Sequence, residues 1–142
     1  MAWQRIRIDL PSKFSKDDRV AIASEIIDHI KDRTQNAGKG FYQETGRERK
    51  FPPYSKAYAK AKGSNKVDLT ASGFMLESMK RISDKPDSIL IGFENGTFDN
   101  DKAEWNATGD YGDGPEAGRA RPFLGILKKD LDEIVKKYEK AD

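Results

Sequence analysis

Ile6, Ile8 and Leu10 alternate with Arg5, Arg7 and Asp9, the two-residue period of a half-buried strand, and Pro11 ends the run. Ser15 then offers a helix N-cap, with Asp18 three residues on in a weak capping-box pattern. From Lys16 to about Asn36 the apolar positions fall at Val20, Ile22, Ala23, Ile26, Ile27 and Ile30, the spacing of an amphipathic helix stopped near Gly38. Val67 to Thr70 introduces a second helix, with Thr70 as cap and Phe74, Met75, Leu76 and Met79 on its apolar face. Arg81 to Ser83 and Ser88 to Phe93 predict a hairpin around Asp84-Lys85-Pro86-Asp87. Asp101 to Ala107 is expected as a short helix carrying Trp105, followed by a Gly-rich loop from Gly109 to Gly118. Arg121 to Ile126 is expected as an edge strand, because Pro122 cannot donate to a ladder. Leu127 to Glu139 closes the pattern as a helix through Leu131, Ile134, Val135 and Tyr138.

Residues 39–66 break this rhythm. They contain no Val, Ile, Leu or Met, and Pro52-Pro53 interrupts regular structure. A segment without aliphatic side chains lacks a core of its own, so we read it as an extended arm that gains order from neighbouring molecules. Tyr54 and Tyr58, one helical turn apart, are its expected anchors. The fold class is therefore α+β: a small antiparallel or mixed sheet packed by a long N-terminal helix and a C-terminal helix, with an extended basic arm, in a single domain over 1–142.

Charge sharpens the picture. The 142 residues carry 26 basic and 24 acidic side chains, so no global field marks a nucleic-acid binder. The distribution is uneven, however. Residues 39–66 hold eight basic residues against two acids, a net of +6, with Phe41, Tyr42, Phe51, Tyr54 and Tyr58 interleaved. Residues 84–118 hold nine acids against two lysines, a net of −7. A monomer could fold these two charges together, but opposite charges on one chain also suit a ring in which the arm of one subunit meets the acidic stretch of the next. The expected subunit-interface residues are Arg47, Arg49, Lys50, Phe51, Tyr54, Tyr58, Lys60 and Lys62 on one side and Asp99, Asp101, Trp105, Asp110 and Asp113 on the other. The same arm also suits phosphate and base contacts, the alternative of a small DNA-binding module.

Catalytic and metal chemistry find little support. The chain has no cysteine, which removes disulfides, thiolate zinc sites and cysteine nucleophiles, and a single histidine. His29, beside Ile26 and Ile30, has the setting of a general base or metal ligand only if partners converge on it; the simpler reading is a helix-flank residue at the core's edge. Asp99-Asn100-Asp101 opens like a calcium loop, but Ala103 and Glu104 occupy the positions needing a ligand and a glycine. The Gly-rich loop lacks both phosphate-binding patterns and carries Asp110, Asp113 and Glu116, which would repel an anion. No apolar run follows Met1 to Arg5 as a signal peptide would require, and none approaches a membrane span. No enzyme activity, cofactor or metal is expected.

Two segments and their order carry a resemblance. Val67 to Met79, with Ser72-Gly73, Leu76 and Ser78-Met79, resembles the "Thr-Gly-x-Leu-x-x-Ser-Ile" segment of tailed-bacteriophage neck and tail-completion proteins, with one more residue before Leu76. Arg119-Ala120-Arg121-Pro122-Phe123-Leu124-Gly125-Ile126 resembles their "Arg-x-Pro-Phe-Leu-Gly" strand before a last helix. A long N-terminal helix and a basic, Tyr-rich linker ahead of the first motif fit the same family. The resemblance implies a structural virion protein at the head–tail junction, a head–tail connector or tail-terminator-like component, present in the host cytoplasm during assembly. It implies as partners a homo-oligomeric ring of the chain itself and other phage connector and tail proteins. Non-specific contact with passing DNA is compatible with it, and no membrane is involved.

Overall fold

The computed structural model describes residues 5–42, 45–52, 60, 76–94 and 121–139. Strand β1 (Arg5–Asp9) buries Ile8 and exposes Asp9, and the Leu10 N–H continues the edge by donating to Asp87 O at 2.8 Å. Helix α1 (Lys16–Asp32) begins where expected: the Ser15 hydroxyl accepts the Asp18 N–H at 3.1 Å, and Asp17 and Asp18 sit in the positive first turn. Its buried face is Ile22, Ala23, Ile26, Ile27 and Ile30.

The helical run continues past Asp32 as a wider π-helical turn over Arg33–Ala37 and closes at Gly38, whose φ of 63° is the left-handed conformation that favours glycine. Arg33 and Thr34 are buried in this turn.

The basic arm departs from expectation over residues 39–50. β2 (Lys39–Tyr42) and β3 (Arg47–Lys50) form an antiparallel hairpin, pairing Lys39 with Lys50 and Phe41 with Glu48. The subunit itself supplies the order that we expected from neighbours. The Phe41 N–H donates to Pro122 O at 3.0 Å, and the Phe51 N–H to Gly38 O at 2.9 Å. Gly40 permits this approach: a Cβ there would stand 1.9 Å from Pro122 O and 2.3 Å from the Phe51 ring.

A turn of 3₁₀ helix at Leu76–Ser78 leads into β4 (Lys80–Lys85), which turns back into β5 (Ser88–Gly92) as the sequence predicts. The sheet order is β1-β5-β4, antiparallel throughout, with a bulge between Arg81 and Ser83. The apolar run of β5 fits its central place, with Ile89 and Ile91 fully buried. Arg19 of α1 bonds Asp84 of β4 at 3.1 Å, a largely buried ion pair joining helix to sheet. Helix α2 (Lys128–Lys136) packs on α1 and buries Ile134 and Val135.

Residues 121–126, expected as an edge strand, are instead a buried extended segment outside either sheet. Hydrogen bonding explains the difference. Arg33 donates to Gly125 O at 2.7 Å and also to Phe123 O, so a guanidinium takes the carbonyls that a neighbouring strand would have used. Phe123 meets Phe93 edge-to-face at 6.0 Å within the core. The expected second helix lies outside the described residues up to Met75, and its expected end over 76–79 is instead a single 3₁₀ turn at Leu76–Ser78, since the chain passes into β4 at Lys80. The expected helix at 101–107 and the loop at 109–118 lie outside the described residues.

Candidate interaction surface and the cluster behind it

Of the expected interface residues, Arg47, Arg49 and Lys50 lie exposed on β3, and Lys60 is exposed. Among the described residues no carboxylate lies within ion-pair distance of Lys39, Arg47, Arg49 or Lys50. Lys39 and Lys50 stand directly opposite each other across the hairpin, a cross-strand pair that costs stability unless an anion covers it. Arg49 lies over the Tyr42 ring at 5.2 Å, a cation–π contact. Beside the hairpin turn, a groove lined by Ile6, Ile8, Phe41, Ile126 and Leu131, with Arg7 and Lys128 also in its wall, opens at the β1 edge.

Phe51 is a correction: expected at a subunit interface, it is buried in the subunit's own core at 6% exposure, because the hairpin returns it to the Gly40–Pro122 contact. Tyr54, Tyr58, Lys62, Asp99, Asp101, Trp105, Asp110 and Asp113 lie outside the described residues. So do Ser72 and Gly73 of the first motif. Leu76 is buried and Ser78 half-buried. In the second motif Arg121, Pro122, Phe123 and Leu124 are all buried, and the Arg121 Nε–H donates to Pro52 O at 3.1 Å. This motif is therefore part of the core.

Behind the hairpin, Glu48 turns away from its basic neighbours. Its Oε2 lies 3.3 Å from Arg33 Nη1 and 4.0 Å from His29 Nε2, and Asp130 Oδ2 of α2 approaches the same imidazole nitrogen to 3.5 Å. Burial pulls the Arg33 pKa below the usual guanidinium value, while the charges of Glu48 and Asp130 oppose that shift. The sequence reading missed Glu48 and Asp130. Neither lies at helical spacing from His29, and only the hairpin and the α1–α2 packing bring them together.

A second polar link fastens α1 to the end of α2. Lys137 Nζ donates to Glu25 Oε1 at 2.7 Å, and the Tyr138 hydroxyl donates to Glu25 Oε2. These bonds, Lys137 first, hold the Glu25 carboxyl below its ordinary value of 4.5, and the Glu25 bond raises the Tyr138 pKa. A depressed carboxyl contributes stability that is complete above its unfolded pKa and is lost as pH falls through the lowered folded value. Urea-unfolding midpoints should therefore drop below pH 4.5, and Glu25→Gln should flatten that part of the profile. An unchanged acid limb in Glu25→Gln would show that the link carries no pH-dependent stability.

Among the described residues no helix is long and apolar enough to cross a membrane. Compared with protein-family models, curated proteins and solved structures, the chain shows no match.

Proposed function

We propose that the chain is a structural component of a tailed-phage head–tail junction, a neck or tail-completion protein that assembles as a homo-oligomeric ring and joins other connector and tail proteins. The observation that carries this reading is a basic hairpin whose exposed cations have no carboxylate partner among the described residues, on a chain whose residues 84–118 have a net charge of −7. Complementary surfaces on one chain make a head-to-tail contact, and such contacts close into rings when the rotation permits. The groove beside the hairpin gives an aromatic side chain of the neighbouring copy's acidic stretch an apolar seat. The motif resemblance gives the ring its place. The buried Arg-Pro-Phe-Leu segment fits a scaffold role, in which the motif holds the subunit together and the hairpin meets the partner.

Particles made without this protein should show separate or imperfectly joined heads and tails by electron microscopy. Normal infectious particles would overturn the proposal. The hairpin also favours a second reading, a DNA-binding module, because exposed cations without carboxylate partners among the described residues match a phosphate backbone as well as an acidic protein. Binding to duplex DNA that weakens steeply between about 50 and 200 mM salt would favour that alternative.

A further inference from the structure

We propose that His29, Glu48 and Asp130 form a binding site for a divalent transition-metal ion of the Zn2+ class. Three elements converge there: α1 carries His29, β3 carries Glu48, and the first turn of α2 carries Asp130. One ligand atom from each lies within 4.8 Å of the other two.

The spacing suits a cation better than a hydrogen bond. His29 Nε2 is 3.5 Å from Asp130 Oδ2 and 4.0 Å from Glu48 Oε2. A tetrahedral ion with ligand bonds of about 2.0–2.1 Å separates its ligand atoms by about 3.3 Å. One edge of the triangle is already close to that length, the second is 4.0 Å, and the third, between the two carboxylates, is within 4.8 Å, so side-chain adjustment has to close two of the three. Although a third of the His29 side chain is exposed, its Nε2 atom is shielded from solvent and makes no hydrogen bond. A shielded imidazole nitrogen facing two carboxylates has an unmet need that a metal would satisfy.

The donor set identifies the ion class. Imidazole with carboxylates selects Zn2+ and its first-row neighbours, whereas Ca2+ and Mg2+ prefer oxygen donors alone. Three protein ligands leave a position for water. Arg33 belongs to the outer shell, with Nη1 3.3 Å from Glu48 Oε2, where it orients that carboxylate and lowers the affinity through its charge. A bound ion would tie the hairpin to both helices. This inference stands apart from the neck reading, since the cluster lies behind the basic surface.

His29 is the only histidine and the chain has no cysteine, so an imidazole signal from untagged protein has one source. Calorimetric titration of the untagged, chelator-treated chain with Zn2+ should show one site, with no comparable response to Mg2+ or Ca2+. Paramagnetic Co2+ should shift the His29 ring resonances. Asp130→Asn and His29→Gln should each weaken Zn2+ binding more than about 100-fold, since even outer-shell losses cost about 10–100-fold. The Co2+ response of the unsubstituted chain decides the matter should a variant fail to fold. Absence of Zn2+ binding, unmoved His29 resonances, or binding that survives both substitutions would reduce the cluster to a polar contact among three side chains and overturn the proposal.

Discussion

Arg33→Met is expected to destabilise the subunit by about 3–5 kcal/mol, the usual cost of removing one partner from a buried charged network. The Arg33 side chain is only 5% exposed, and it holds three pieces of chain that no sheet ladder joins. It donates to the carbonyls of Gly125 and Phe123 in the buried segment and pairs with Glu48 of the hairpin. Methionine fills much of the volume but leaves two buried carbonyls and a carboxylate without their donor, and each unmet group costs about 1–3 kcal/mol. Arg33→Lys should fall between the two, because one ammonium lacks the planar fork that spans these acceptors. Denaturant unfolding checks the ranking, and a loss below about 1 kcal/mol for Arg33→Met would remove Arg33 as the pin of this region.

Arg33 also shows where legibility ended. Strand β1, the Ser15-capped α1, the β4–β5 hairpin and the terminal helix were readable because each carries its own periodicity and its own stop signal. The β2–β3 hairpin was not, since Lys39-Gly40-Phe41-Tyr42 and Arg47-Glu48-Arg49-Lys50 contain no aliphatic residue and read as part of an extended arm ordered by neighbouring molecules. Its order comes from tertiary contacts: Gly40 against Pro122, Phe51 in the core, and Glu48 on Arg33. Residues 121–126 misled in the opposite direction. Their proline and apolar run look like an edge strand, yet a buried guanidinium replaces the neighbouring strand. Of the candidate surface, the cations of β3 were legible from charge alone, whereas the inward turn of Glu48 depends on its cross-strand partner Phe41 and on α1.

The second large effect concerns assembly. Reversing Arg47, Arg49 and Lys50 together to glutamate should abolish ring formation while leaving the fold intact, because all three side chains are exposed and none has a carboxylate partner among the described residues. At about 1 kcal/mol for each lost contact, the interface loses about 3 kcal/mol, more than a hundredfold in affinity. In the proposed ring, repulsion from the acidic stretch of the neighbouring copy adds to that loss. High salt should act in the same direction on the unmodified chain, since exposed pairs are screened within about 8–10 Å.

Sedimentation velocity of the purified chain beside the Arg47→Glu/Arg49→Glu/Lys50→Glu variant is the most direct measurement of the central claim. The account predicts a closed oligomer of defined mass for the unmodified chain and a folded monomer, with unchanged circular dichroism, for the variant. A chain that stays monomeric at every concentration, or a variant that assembles as the unmodified chain does, would contradict it.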